Sequence, residues 1–293
     1  MNIKDFKYFN ALVENKNFSI VAQQFNVSQP TITMAIKRLE EEFDAKLFIR
    51  NQSHKELLVT EAGHQLYAHT TNILKEITIA KKELQIAKQH KIIFGLPPII
   101  GTYYFPMATP ELLRQGLLNK LTIISKGSII CRKMLLAGDL DIALLGSIEP
   151  ITQPGLITEV FAKSPLKIIV GPGHPWYHRK KITLSELKGQ KFITQNESYI
   201  HNQALQQVAK LGHFHPEIVV KTDNINILKA LVSENIGIGL LTEIAIKETD
   251  QQLHALDVDA EDFPAFIMSI AYRAQHILTK QQQQLLEILH TSI

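Results

Sequence analysis

The sequence predicts an all-α helix-turn-helix domain at its N-terminus, a long linker helix, and a larger α/β region folded as two lobes. Three observations carry this. Between residues 18 and 43 apolar side chains recur at helical spacing on both sides of a short polar turn. From residue 61 to about residue 89 a proline-free stretch repeats apolar residues in steps of four and three. Beyond Lys91 short β-branched runs alternate with helical stretches. At 293 residues the chain is too long for one small domain. The expected divisions are 1–60, a linker at 61–90 and an α/β region at 91–293. Within the last, lobe I takes 91–162 and 267–293, and lobe II takes 163–266.

In the first helix of the N-terminal pair Phe18, Val21, Ala22 and Phe25 share one face. Asn26, Val27 and Ser28 make the turn. Asn26 tolerates a left-handed conformation, Val27 plugs the angle, and Ser28 caps the next helix. Pro30 then falls in the first helical turn, where its missing N–H costs nothing. The second helix is expected to bury Ile32, Ala35, Ile36, Leu39 and Phe43. Ser28, Gln29, Pro30, Thr31, Thr33, Met34, Lys37 and Arg38 then face outward near its N-terminal half. Short polar and amide groups there suit base edges in the major groove, and the cations suit phosphates. An ordinary helix pair of an all-α domain fits the same spacing.

The flanking residues bear on that choice. Phe9, Phe18-Ser19 with Ala22, Val27-Ser28-Gln29-Pro30-Thr31, Ile36-Lys37-Arg38-Leu39-Glu40, Leu47-Phe48-Ile49-Arg50 and Thr60-Glu61-Ala62-Gly63 form one series. Together they resemble the DNA-binding domain of the LysR-type transcriptional regulators over residues 1–64. The resemblance implies a winged helix-turn-helix, with residues 47–60 as a β-hairpin lying along the backbone or minor groove of double-stranded DNA. A polar turn does sit between Leu47, Phe48, Ile49 and Leu57, Leu58, Val59. Arg50, His54 and Lys55 are then expected phosphate contacts. The run from Ile49 through Lys55, with Leu57, Leu58, Val59 and Thr60 after it, is similar to the branch of that family that activates malolactic fermentation genes. That likeness implies L-malate as effector.

Along the linker, Leu66, Thr70, Ile73, Ile77, Ala80, Leu84 and Ala87 make a heptad seam about three heptads long. Packing on its own domain is one reading. A seam this narrow suits another helix better, so Leu66, Ile73, Ile77 and Leu84 are the expected dimerisation residues. The family resemblance likewise implies linker helices paired between subunits, in a homodimer that assembles to a homotetramer.

Strand, helix, strand in sequence beyond residue 91 implies a largely parallel sheet. Crossings near residues 162–165 and 264–266 would leave a cleft between two lobes, which matches the periplasmic-binding-protein-like effector domain of the family. Open parallel sheets bind ligands outside strand C-termini, beside helix N-termini. That rule selects Pro98, Ile99, Ile100 and Gly101 after the first strand, and Gly127 and Ser128 after the second. It also selects Gly146 and Ser147, then Gln195 and Ser198, and Asn224 ahead of a helix. Ser128 can cap a helix, contact an anion, or both, since the same amides serve. The family often carries an Asn-Thr pair where Gly127-Ser128 stands, so the contact chemistry here differs. The apolar stretch at 97–101 favours a small organic acid with a non-polar part over a sugar. Lys126, Arg132 and Lys163 are its candidate cations.

Basic and acidic residues nearly balance, 31 against 28, for a net charge of +3. This points to a localised basic patch rather than a DNA-coating surface. The single cysteine, Cys131, excludes an internal disulfide and a cysteine-cluster zinc site. No secretory signal is expected, since Asp5, Lys7 and Glu14 interrupt the N-terminus. The longest uncharged run, 92–110, holds Pro97, Pro98, Pro106 and Pro110 and cannot be a membrane helix, so a cytoplasmic protein without a membrane partner is expected. His213 and His215 lack nearby carboxylates and read as loop residues, and Gly237-Ile238-Gly239 lacks the third glycine of a dinucleotide site. With no nucleophile motif, P-loop or HExxH, neither an enzyme nor a metal or cofactor is expected. The function expected is a ligand-responsive transcriptional activator, acting through promoter bending or RNA polymerase contact. A constitutive DNA-binding architectural protein is the alternative.

Overall fold

The computed structural model describes residues 2–50, 57–88 and 91–291; of Arg50, Ala87 and Lys88 it describes the backbone alone. His54 and Lys55 therefore lie outside the described residues. Two compact units result, Met1–Leu84 and Gln85–Ile293.

The first unit begins with α1 (Ile3–Asn15), α2 (Phe18–Gln24) and α3 (Gln29–Glu42). Side chains of Asn2, Asn17 and Ser28 cap the three helices by accepting first-turn N–H groups. Asn26 adopts the left-handed turn conformation, φ 53°. Phe9, Leu12, Val21, Ile32, Leu39 and Leu47 make the core. Phe43 departs from expectation. The helix stops at Glu42, so Phe43 leaves the buried stripe as C-cap and stands 44% exposed.

Strands β1 (Phe48–Arg50) and β2 (Leu57–Val59) pair antiparallel and lead into α4 (Glu61–Lys88). Glu40 anchors β1 by accepting the Leu47 N–H at 2.9 Å. Thr60 joins the hairpin to α4: its hydroxyl donates to the Lys46 carbonyl at 2.6 Å and accepts the Gly63 N–H at 3.0 Å. A Cβ on Gly63 would lie 2.5 Å from the Leu47 carbonyl oxygen, so only glycine fits. Thr70 also departs from expectation. It turns inward, its hydroxyl donating to Asn10 Oδ1 at 2.6 Å, because α4 packs Tyr67, Thr70 and Leu74 onto its own domain.

The second unit holds one sheet, built as β4-β3-β5-β12-β6-β10-β8-β9, with β11 paired to β6 and β7 paired to β11. Its first strands are β3 (Ile92–Gly95), β4 (Leu121–Ile124), β5 (Ile142–Ser147) and β6 (Leu156–Val170). Next come β7 (Lys181–Thr183), β8 (Lys191–Thr194), β9 (Glu217–Lys221) and β10 (Ile238–Thr242). The last are β11 (His254–Asp259) and β12 (Ala265–Arg273). Among the described residues six α-helices accompany them: α5 (Pro98–Tyr103), α6 (Thr109–Arg114), α7 (Ser128–Leu136), α8 (Ile200–Leu211), α9 (Ile225–Ser233) and α10 (Lys280–Thr291).

The sheet is mixed rather than largely parallel. β3, β4 and β5 run parallel, as do β8, β9 and β10, but β6 and β12 run antiparallel to their neighbours through the middle. β6 carries the chain between lobes. It pairs with β12 up to Pro165, which has no N–H to donate, and with β10 from Leu166 on. Three strand segments lie outside the β-branched runs of the sequence: β7 with one apolar residue, β11 with one β-branched residue, and the first half of β6 with mixed polarity. Residues 103–118 form no single helix: α5 ends at Tyr103, a 3-10 turn at Phe105–Met107 holds Pro106, and α6 starts at Thr109 with Pro110 in its first turn. Among the described residues no helix is long and apolar enough to cross a membrane.

Candidate functional site

Two surfaces collect the polar chemistry, one in each unit. On α3 the residues Gln29, Pro30, Thr31, Thr33, Met34 and Lys37 are all exposed, opposite the buried Ile32, Ala35, Ile36 and Leu39. Ser28 Oγ accepts the Thr31 N–H at 3.4 Å and lies 2.9 Å from its hydroxyl, which holds the first turn. Ser19 reaches over from α2 and donates to Gln29 Oε1 at 3.4 Å. Lys37 pairs with Glu41 one turn on, at 3.5 Å, but both are well exposed and the pair is worth only tenths of a kcal/mol.

Arg38 is not the free cation its sequence position suggests. Its Nε and Nη2 donate to the two carboxylate oxygens of Asp5 at 3.2 and 2.6 Å. This hydrogen bonding raises the guanidinium pKa above its ordinary value. Asp5 had no sequence signal, because its partner stands 33 residues away.

Alongside, Leu66, His69 and Ile73 of α4 line an apolar groove of about 420 Å³ with Phe6, Phe43 and Leu47. Further along α4, Ile77 is half-buried and Leu84 is 66% exposed.

In the second unit a cleft of about 320 Å³ opens between the α7 N-terminus, the segment after β5, and α8. Gly127, not Ser128, is the N-cap of α7. Ser128 instead accepts the Gly146 N–H on Oγ at 2.8 Å, tying α7 to the end of β5. A Cβ on Gly127 would lie 2.5 Å from the Ser198 carbonyl, so these two candidate residues meet across the lobes. Ser147 also lines the cleft; it is buried, and its Oγ has no hydrogen-bond partner among the described residues. Arg132, one turn into α7, is half-buried and supplies the cleft's one Lys or Arg side chain, while Glu149 stands exposed. Ile129, Ile148 and Ile200 give it an apolar part.

Several expected contacts lie elsewhere. Pro98, Ile99, Ile100 and Gly101 belong to α5, not to a loop. Ile100 is in the main core beside Phe94 and Phe105, and Ile99 packs with Ile193, Ile225 and Leu228. Asn224 caps α9 through the Asn226 N–H at 2.9 Å and is exposed. Gln195 is fully buried with both carboxamide atoms unpartnered among the described residues, yet it is not among the cleft's lining residues. Lys163 lines a different groove, beside Asp257 and Phe263. Glu149, Pro150 and, on α8, Gln203 also line the cleft, at positions that the strand-end rule does not select.

Behind the cleft His201 of α8 is buried, stacks on Phe266, and accepts the Thr242 N–H on Nε2 at 3.1 Å. Burial lowers its pKa to about 4, so the ring is neutral near pH 7. Cys131 is also buried, its thiol facing the Lys126 carbonyl at 3.4 Å, and burial pushes its pKa up to about 11. No cluster of His, Cys, Asp and Glu among the described residues could hold a metal ion.

Comparison with known proteins bears on both surfaces. Residues 3–64 match the model of the bacterial regulatory helix-turn-helix protein, lysR family, and residues 87–293 match that of the LysR substrate binding domain. The chain belongs to the LysR family. The malolactic fermentation system transcriptional activator of Lactococcus lactis is 33% identical over 291 residues, covering 99% of each chain. A hydrogen peroxide-inducible genes activator of Dickeya chrysanthemi is 26% identical, covering 85% of this chain and 81% of that one. In fold, the effector binding domain of QuiR in complex with shikimate aligns at TM-score 0.60 and 15% identity, over 69% of this chain and 95% of that chain. As a LysR-family member the chain is a DNA-binding transcriptional regulator with an effector domain that senses small molecules.

Proposed function

We propose that this regulator is a cytoplasmic, non-enzymatic activator that senses a small organic anion in the cleft beside α7 and changes its promoter binding in response. L-malate is the first candidate, since the 33% identical relative is named for malolactic fermentation. One observation carries the reading. Arg132, half-buried, faces no acidic partner at hydrogen-bonding distance among the described residues, beside the amides of the α7 N-terminus and the unpartnered Ser147 hydroxyl. Cation, helix amides and hydroxyl together suit a carboxylate. A thiol sensor of peroxide fits poorly, because a disulfide needs a second cysteine and Cys131 is a buried, protonated thiol.

Base and phosphate contacts fall to Ser28, Gln29, Pro30, Thr31, Thr33, Met34, Lys37 and Arg38, with Arg50, His54 and Lys55 as further phosphate contacts. Leu66, Ile73, Ile77 and Leu84 pair the linker helices of a homodimer that assembles to a tetramer. Activation then runs through promoter bending or contact with RNA polymerase.

Thermal denaturation of the full chain with L-malate, other dicarboxylates and glucose tests the sensor. At 100 times its dissociation constant a bound acid adds about 2.7 kcal/mol, a clear rise in Tm. Arg132→Gln should abolish that rise and leave DNA affinity intact. No shift with any acid would favour the constitutive architectural reading, and a shift that persists in the variant would place the anion elsewhere.

A further inference from the structure

Asp5 lies on the first turn of α1, and its side chain is 2% exposed. A buried carboxylate is costly unless a cation and hydrogen bonds compensate it. Arg38 provides both, through Nε and Nη2, while remaining 47% exposed itself. A guanidinium has five N–H groups in a rigid plane. Binding Asp5 along one edge therefore fixes the plane and leaves Nη1 directed away from the carboxylate. Lys37, the neighbouring cation, has only an exposed, flexible partner in Glu41.

We propose that Asp5 is a positioning residue for DNA binding: it holds Arg38 so that the free edge of the guanidinium meets a backbone phosphate, and it fixes the yaw of α3 on α1. The proposal rests on α3 being the helix that meets DNA. Charge counting makes the opposite prediction. Asp5 is an anion beside a polyanionic ligand, so removing it should tighten binding through long-range attraction. Positioning predicts that removing it weakens binding, because Arg38 regains the rotamer freedom that the carboxylate had removed.

The test is a double-mutant cycle on the full chain, using a duplex that the wild-type chain selects from a random-sequence library, with affinity measured across a potassium chloride series. Asp5→Asn should weaken binding about tenfold, within the coupling range of touching residues. In an Arg38→Ala background the same substitution should change affinity less than about twofold. Arg38→Lys keeps the charge but cannot make the two-point contact, and should lose about as much as Asp5→Asn. This second variant carries the test should Asp5→Asn fail to fold, which its Tm reports. Unchanged or tighter binding by Asp5→Asn, equal loss in both backgrounds, or wild-type affinity in Arg38→Lys each overturns the proposal. Lys37→Ala separates the two levels: full affinity in that variant removes α3 from the DNA interface, whereas weaker binding there alongside a null cycle removes Asp5 alone.

Discussion

His201 illustrates how burial alone sets the behaviour of a single side chain. Its ordinary value of 6.5 falls to about 4 because the charged imidazolium would lose its hydration among apolar neighbours. The sign of the consequence follows. Above pH 6.5 both folded and unfolded chains hold the ring neutral, and stability is unaffected. Between 6.5 and about 4 the unfolded chain takes a proton that the folded chain refuses. Stability therefore falls as pH falls through that window, by up to about 1.4 kcal/mol per pH unit. His201→Gln, which can still accept the Thr242 N–H, should flatten this acid limb; urea midpoints of both proteins across the same window measure it. Residues whose roles are local were legible in the sequence. Ser28 and Asn26 act on bonds within three residues, so their types announce a cap and a left-handed turn. Ser128 was half legible: its place at the start of a helix was readable, but its bond to Gly146 belongs to a strand 18 residues on.

α4 shows the same division at the scale of an element. Its heptad spacing was plain, but spacing cannot say which residues face the parent domain. Thr70 is absorbed by Asn10, whereas Leu66 and Ile73 stay on the groove with Phe6, Phe43 and Leu47. An apolar groove of this kind on a helix flank is where we expect the second copy's linker to pack. Ile73→Asp should then shift the chain toward monomer in sedimentation velocity and weaken DNA binding by more than tenfold, since paired heads bind jointly. A dimer that survives the substitution would assign Ile73 to its own chain. Strands were harder to find than helices. β5 was obvious because all six residues are buried, while β7 offers one apolar side chain and is a strand only because β11 pairs with it.

For the whole molecule, sensing requires that the acid and the promoter each discriminate between the same two states. Their coupling is reciprocal by thermodynamic necessity, and its usual size is about 5- to 150-fold. Isothermal titration of L-malate into the chain alone and into its DNA complex should therefore give affinities that differ by the same factor as the DNA affinities with and without malate. Equal affinities in both titrations would leave a ligand that binds without regulating. By itself the sequence determined the helix-turn-helix, the long linker and the succession of β-branched strands and helices, because each is written in spacings of two to seven residues. It determined the chemical inventory as well, down to a lone cysteine. Four features came from packing in three dimensions: β6 and β12 run antiparallel through the sheet, Ile99 and Ile100 serve packing, Arg132 rather than Lys163 lines the cleft, and Asp5 holds Arg38. The physical reason is common to all four. Strand direction, burial and ion pairing depend on which segments meet after long loops close, and residues tens of positions apart carry no periodic trace of that meeting.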